Sequence, residues 1–93
     1  MEYILKYHKA ADKELSKLPP SLQLEIIKLI RELAHNPKPK GYKKLKGYKS
    51  LRTPGKECFR IRFRNYRIIY TIEEEVITIE IIKIAHRREV YTH

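Results

Sequence analysis

The sequence has little that would support the commonest kinds of catalytic or metal site. It contains one cysteine, Cys58, and no tryptophan in 93 residues. A single cysteine excludes an internal disulfide, and His8, His35 and His93 are too scattered to hold a metal. There is no Ser/His/Asp or Cys/His arrangement and no glycine-rich phosphate loop. We therefore expect no metal, no cofactor and no small-molecule ligand, and a structural role for Cys58.

Long apolar runs are also missing from the chain. No stretch approaches the roughly 20 residues that a membrane-spanning helix needs. Residues 1–6 lack an apolar segment of signal-peptide length. These features predict a cytoplasmic protein that does not enter a membrane.

Negative charge is scarce, particularly in the middle of the chain. Twenty-one Lys and Arg residues face 11 Asp and Glu residues, which gives a net charge of +10 and a pI of about 9.8. Twelve of the 21 cations lie between Lys38 and Arg67, where Glu57 is the only acid. Such clustering favours a polyanionic partner, and nucleic acid above all.

The strongest local pattern is the alternation in residues 58–64. Apolar and arginine side chains take turns: Phe59, Ile61 and Phe63 on one side, Arg60, Arg62 and Arg64 on the other. Successive side chains of a strand point to opposite faces. The pattern therefore predicts a strand that buries its aromatic row and presents three guanidinium groups, which match phosphate oxygens bidentately.

The remaining periodicity predicts an α+β fold in one domain, residues 1–93. A first strand at 2–7 precedes a helix at 9–18, which Pro19-Pro20 ends, and a second helix from about 21 to 36. A basic loop with a short strand near Leu45 follows. Strands at 57–63, 66–72 and 76–85 are joined by short turns, so they should form an antiparallel meander. We expect the helical hairpin to cover one face of an antiparallel sheet, with Tyr66 and Tyr70 sharing a core face.

Several motifs together resemble the RelE-type toxins of the RelE/ParE toxin–antitoxin superfamily. In chain order they are Lys43-Lys-Leu-Lys-Gly47, Phe59-Arg-Ile-Arg62, Tyr66-Arg-Ile-Ile-Tyr70 and His86-Arg-Arg-Glu-Val-Tyr91. The resemblance implies a helical hairpin on a curved sheet and a cognate antitoxin. It also implies metal-free cleavage of mRNA on the ribosome. By position, the cations that grip the scissile phosphate match Arg60, Arg62, Arg67 and Arg87, and the terminal aromatic matches Tyr91.

The chemistry of metal-free RNA cleavage limits which of these residues can transfer protons. The 2′-hydroxyl attacks, so a base must remove its proton and an acid must protonate the departing 5′ oxygen. Arginine stabilises phosphorane charge but titrates too high for either task. We expect Tyr91, beside Arg62 and Arg67, to be the reactive group, with His86 as the second candidate. The predicted RNA-binding residues are Lys43, Lys44, Lys46, Arg64 and Arg88.

Two other functions fit the same sequence. A ParE-type toxin shares the fold but poisons DNA gyrase by binding, and a basic RNA-binding module would have no catalytic activity. The full cationic set with a terminal tyrosine favours the nuclease, since ParE-type chains generally lack it. The expected partners of the nuclease are the ribosome, mRNA and an antitoxin.

Overall fold

The computed structural model describes residues 2–90, which form two helices and a five-stranded sheet. The helices are α1 (Lys9–Ser16) and α2 (Pro20–Leu33). The strands are β1 (Ile4–Tyr7), β2 (Lys43–Lys44), β3 (Phe59–Phe63), β4 (Tyr66–Glu73) and β5 (Thr78–His86), arranged in the order β1-β5-β4-β3-β2. The predicted α+β class and the order of elements are confirmed.

Local chemistry explains where the helices begin and end. The Nδ1 atom of His8 accepts a hydrogen bond from Ala10 N and caps α1. The side chain of Gln23 donates to Ser16 O and Leu18 O, which satisfies carbonyls at the end of α1. Helix α1 therefore stops two residues before the predicted end at 18. Pro20 begins α2, where a missing N–H costs nothing.

The sheet is mixed, which corrects the expectation of an antiparallel sheet. Strands β3, β4 and β5 form the predicted antiparallel meander, but β1 pairs in parallel with β5, Ile4 opposite Thr78 and Tyr7 opposite Ile81. A short turn forces antiparallel pairing only on the strands that it joins. No short turn joins β1 to β5, because both helices, the basic loop and strands β2 to β4 lie between them in the chain. Tertiary packing therefore decides the direction in which β1 pairs with β5.

The larger core lies between the helices and one face of the sheet. Ala11, Ile26 and Ile30 of the helices pack with sheet residues such as Ile68 and Tyr70, all fully buried. Tyr70 also donates from its hydroxyl to Pro37 O at 2.6 Å. Tyr70 is thus a core residue as predicted, whereas Tyr66 on the same face is only half-buried.

The opposite face carries a smaller core. Cys58, Ile69, Ile82 and Val90 are buried together, and Leu45 and Tyr48 from the basic loop pack against them. A bulge helps to build this cluster: Ile69 pairs with Lys83 but Tyr70 pairs with Ile81, so Ile82 has no opposite residue. The basic loop is therefore fixed against the sheet, and Cys58 has the packing role that the sequence predicted.

Candidate nucleic-acid interface

Four predicted site residues meet on the sheet face opposite the helices. Arg60 of β3 lies opposite Lys43 of β2, and Arg62 lies opposite Arg67 of β4. Directly opposed residues in neighbouring strands share a face and have Cβ atoms about 5 Å apart. We call this set, Lys43, Arg60, Arg62 and Arg67, the cation face.

Arg60 is the most unusual member of the cation face, because it is only 7% exposed. Its Nε atom is buried and has no hydrogen-bond partner among the described residues. A desolvated guanidinium without a counter-charge is costly. The side chain lines a cleft of about 360 Å³ together with Arg62, Pro39 and Gly41. An anion entering this cleft would supply a counter-charge to Arg60 and Arg62.

Arg67 is held from behind by main-chain oxygens. Its Nη1 atom donates to Tyr66 O at 2.9 Å and to Arg64 O at 3.3 Å. Arg64 lies in the β3–β4 turn, and Tyr66 is the first residue of β4. These bonds restrict the position of the guanidinium, which suits a group that must be in place before an anion arrives.

Arg64 does not join the arginine row, so the prediction of three guanidinium groups on one face is wrong. It lies in the turn after β3 with φ 53°. Its guanidinium reaches Glu25 of α2, with Nη2 at 3.0 Å from Oε2, and lies over the ring of Phe63. The strand alternation stops at Phe63, and the turn redirects the next side chain toward the helices. The row therefore consists of Arg60 and Arg62.

His86 lies on the helix side of the sheet, away from the cation face. It is opposite Tyr66, whose ring it meets edge to face at 5.7 Å, while the preceding Ala85 is opposite Arg67. The Nδ1 atom of His86 accepts a 3.3 Å hydrogen bond from Arg88 N. The structure thus separates His86 from the cations with which the sequence grouped it.

The chain after β5 turns back beside the β3–β4 turn. Arg87 N donates to Asn65 O at 2.7 Å, and Arg87 and Arg88 are both exposed. Val90 at the end of this turn is buried in the smaller core. Tyr91, the predicted proton-transfer residue, lies outside the described residues.

The lysines of the basic loop are not equivalent. Lys44 forms an ion pair with Glu57 at 2.6 Å, whereas Lys43 belongs to the cation face. Strand β2 ends at Lys44, and Lys46 and Gly47 form a turn. Lys44 and Lys46 therefore do not belong to one extended strand.

Sequence reasoning missed a network at the outer edge of β5. Both terminal guanidinium nitrogens of Arg52, Nη1 and Nη2, donate to the carboxylate of Glu14 at 2.9 Å, and Nη1 also donates to Ile82 O at 2.8 Å. Glu14 accepts from Ile84 N at 3.0 Å. Burial, followed by the charge of Arg52, lowers the pKa of nearby Lys83. No sequence motif signals this network, because its hydrogen bonds join residues that lie 30 to 70 positions apart.

The described residues contain no group of three or more His, Cys, Asp or Glu side chains that could hold a metal ion. Between residues 2 and 90, none of the helices is both long and apolar enough to cross a bilayer.

A basic sheet face backed by a helical hairpin is the architecture of a known class of toxins, and sequence comparison agrees. The sequence model of the ParE toxins of type II toxin–antitoxin systems (parDE) matches residues 5–91. The chain therefore belongs to this toxin family, within the RelE/ParE superfamily.

Individual relatives carry RelE-type names. The chain is 28% identical over 92 residues to the toxin RelG of Mycobacterium tuberculosis, covering 98% of both proteins. It is 33% identical over 94 residues to a Methanocaldococcus jannaschii protein named as toxin RelE1, covering 98% of this chain and 97% of that one. A chain of the archaeal RelE–RelB complex from Pyrococcus horikoshii superposes with a TM-score of 0.77 at 28% identity, covering 97% of this chain and 100% of that chain.

Proposed function

We propose that this toxin is a metal-free endoribonuclease that cleaves mRNA on the ribosome and so inhibits translation. The observation that carries the proposal is the cation face. Arg62 and Arg67 lie directly opposite each other, and the buried Arg60 lies two residues along the same strand without an acceptor for its Nε among residues 2–90. This arrangement suits a phosphodiester whose charge increases in the transition state.

The roles divide according to what each side chain can do. Arg60 and Arg62 would hold the phosphate, and Arg67, oriented by its backbone acceptors, would stabilise the phosphorane. Arg87 would add charge from the turn after β5. Tyr91 would accept the 2′-hydroxyl proton, because His86 faces the other side of the sheet. Lys43, Lys46 and Arg88 would contact flanking phosphates.

A translation extract tests the proposal directly. Adding the purified protein should stop protein synthesis and create new mRNA 5′ ends only when ribosomes are present. Arg64→Met serves as a control variant. Because the Arg64 side chain points to α2, its loss should leave cleavage unchanged. Identical 5′ ends with and without the protein would contradict the proposal.

A second candidate function is poisoning of DNA gyrase. The observation that favours it is the matching family model, which is named for ParE. The discriminating assay is gyrase-dependent relaxation and cleavage of supercoiled DNA in the presence of the protein. DNA breaks without mRNA cleavage would establish the gyrase poison and exclude the nuclease. If the protein binds RNA but neither cleaves mRNA nor causes DNA breaks, it is the non-catalytic RNA-binding module.

We also propose that an antitoxin encoded beside this chain binds it. The support is that similar chains were solved as RelE–RelB complexes, among them the archaeal one. The net charge of +10 and the four cations gathered on one sheet face would favour an acidic partner segment. Co-expression with the neighbouring reading frame should give one co-eluting complex with a higher melting temperature and no toxicity. Separate elution at low salt with persisting toxicity would contradict this proposal.

A further inference from the structure

The basic loop forms a second concave surface beside the cation face. This cleft of about 630 Å³, the lysine-loop cleft, is lined by Lys43, Lys44, Leu45, Lys46, Gly47 and Tyr48. Its volume lies in the range of about 300–1,000 Å³ typical of small-molecule sites. Lys43 belongs to both surfaces, so a strand lying on the cation face would reach the cleft directly.

The apolar part of the lysine-loop cleft is held in place by the smaller core. Leu45 and Tyr48 pack against buried residues of that core, including Ile69 and Val90. Leu45 N donates to Cys58 O at 2.9 Å, and Tyr48 N donates to Leu45 O across the turn. Gly47 adopts φ +75° in this turn, a conformation that other residues rarely take. The cleft is therefore formed before any ligand binds.

We infer that the lysine-loop cleft binds a nucleobase of the RNA strand whose phosphates lie on the cation face. The inference rests on the proposed function for the identity of the strand. A site for phosphate alone needs cations but no apolar surface. Here apolar surface from Leu45 and Tyr48 lies beside Lys43 and Lys46, and beside Lys44, which is paired with Glu57. A base can stack on Leu45 and Tyr48 while Lys43 and Lys46 contact the flanking phosphates.

The consequence concerns specificity. Guanidinium–phosphate contacts position RNA but read no sequence. A base held in the lysine-loop cleft, next to a phosphate on the cation face, would give cleavage a modest base preference that follows the stacking strength of that base. The nearest alternative occupant is an acidic peptide, but the direct continuity with Arg60 and Arg62 through the shared Lys43 favours nucleic acid.

The three glycines of the chain make a sharp experiment possible, because together they report on three clefts. Gly41 lines the cleft of Arg60, Gly55 lines a third cleft, and Gly47 lines both the lysine-loop cleft and that third cleft. A shift of the Gly47 amide without a shift of the Gly55 amide therefore reports on the lysine-loop cleft. Glycine amides are easily followed in ¹⁵N NMR spectra. The full chain is titrated with each nucleoside 5′-monophosphate, and with ribose 5-phosphate as the probe that lacks a base.

We expect the Gly47 amide to shift with at least one nucleotide at an affinity about fivefold or more above that for ribose 5-phosphate. The Gly41 amide should respond to both probes alike, because that cleft recognises phosphate. Lys46→Gln should weaken the Gly47 response about twofold to fivefold, and the control Lys40→Gln, at the other cleft, should leave it unchanged. Equal binding of ribose 5-phosphate at Gly47 would overturn the inference.

Two further outcomes separate this inference from the proposed function. If nucleotides bind at Gly47 but no mRNA is cleaved, the base site stands and the nuclease proposal fails. If mRNA is cleaved but Gly47 ignores all four nucleotides, the nuclease stands and the base site fails. An acidic peptide that shifts Gly47 more tightly than every nucleotide would also overturn the inference and mark the cleft as a protein-docking site.

Discussion

At the scale of the residue, we expect Arg60 to affect both the stability of the fold and the affinity for RNA. Its guanidinium is desolvated and its Nε lacks an acceptor within the described chain. Arg60→Met keeps the volume and removes the charge, so the free energy of unfolding should rise by about 1 kcal/mol. RNA affinity should fall at the same time. Arg62→Met, at an exposed position on the same strand, should lower affinity with little change in stability. Urea unfolding measures the stability of the two variants, and RNA titration measures their affinity. A destabilised Arg60→Met variant would contradict the expectation.

Tyr91→Phe separates proton transfer from stacking at a single residue. Phenylalanine keeps the ring, and with it stacking worth about 1–3 kcal/mol. It loses the ionisable hydroxyl. If Tyr91 is the base, single-turnover cleavage should fall by roughly 10²–10⁴ while ribosome binding hardly changes. An unaltered rate would exclude Tyr91 as the base.

Tyr70 gives a pH dependence whose sign follows from burial. Burial raises the pKa of its hydroxyl above the ordinary value near 10. The folded state therefore keeps the proton while the unfolded state loses it, so stability is full below pH 10 and declines above it. Tyr70→Phe should reduce this alkaline loss, and at neutral pH it should cost about 1 kcal/mol for the bond to Pro37 O. Chemical denaturation from pH 7 to 11 measures both effects, and a parallel pH profile for the two proteins would refute the assignment.

At the scale of the element, the Arg52–Glu14 network closes the part of the β5 edge that β1 does not reach. Strand β1 ends opposite Ile81, and the network takes over at Ile82 O and Ile84 N. Arg52→Met should cost about 1–3 kcal/mol, because Glu14 and Ile82 O lose their donor. The exposed pair Arg64–Glu25 is the control, and breaking it should cost less than about 1 kcal/mol of stability.

A double-mutant cycle of Arg52→Met with Glu14→Gln should show a coupling energy of about 0.5–3 kcal/mol. Additive effects would mean that the two residues act independently.

At the scale of the whole molecule, charge clustering should set the salt dependence of RNA binding. Each phosphate neutralised on single-stranded RNA contributes about −0.7 to the slope of log K against log salt. The four side chains of the cation face, Lys43, Arg60, Arg62 and Arg67, predict a slope of about −3. Lys43→Gln should bring it close to −2. Fluorescence titrations between 50 and 300 mM salt measure the slope, and a value near zero would show that these cations do not contact phosphate.

The sequence by itself determined the elements and their chemical character. Periodicity at α1, α2 and the three meander strands predicted the α+β class, because burial on one face imposes repeats of 3.6 and 2 residues. Short turns fixed the antiparallel pairing of β3 with β4 and β4 with β5. Motif order identified the superfamily. The excess charge between Lys38 and Arg67 indicated the basic face before any coordinate was known.

Only the tertiary structure decided which cations lie side by side. Register brought Arg62 opposite Arg67, and a one-residue shift would have sent either to the other face. The turn at φ 53° removed Arg64 from the row, and strand alternation placed His86 on the helix side. The parallel pairing of β1, the bulge at Ile82 and the Arg52–Glu14 network all join residues distant in sequence. Local patterns carry no information about such contacts, because packing and long-range hydrogen bonding select them only when the whole chain has folded.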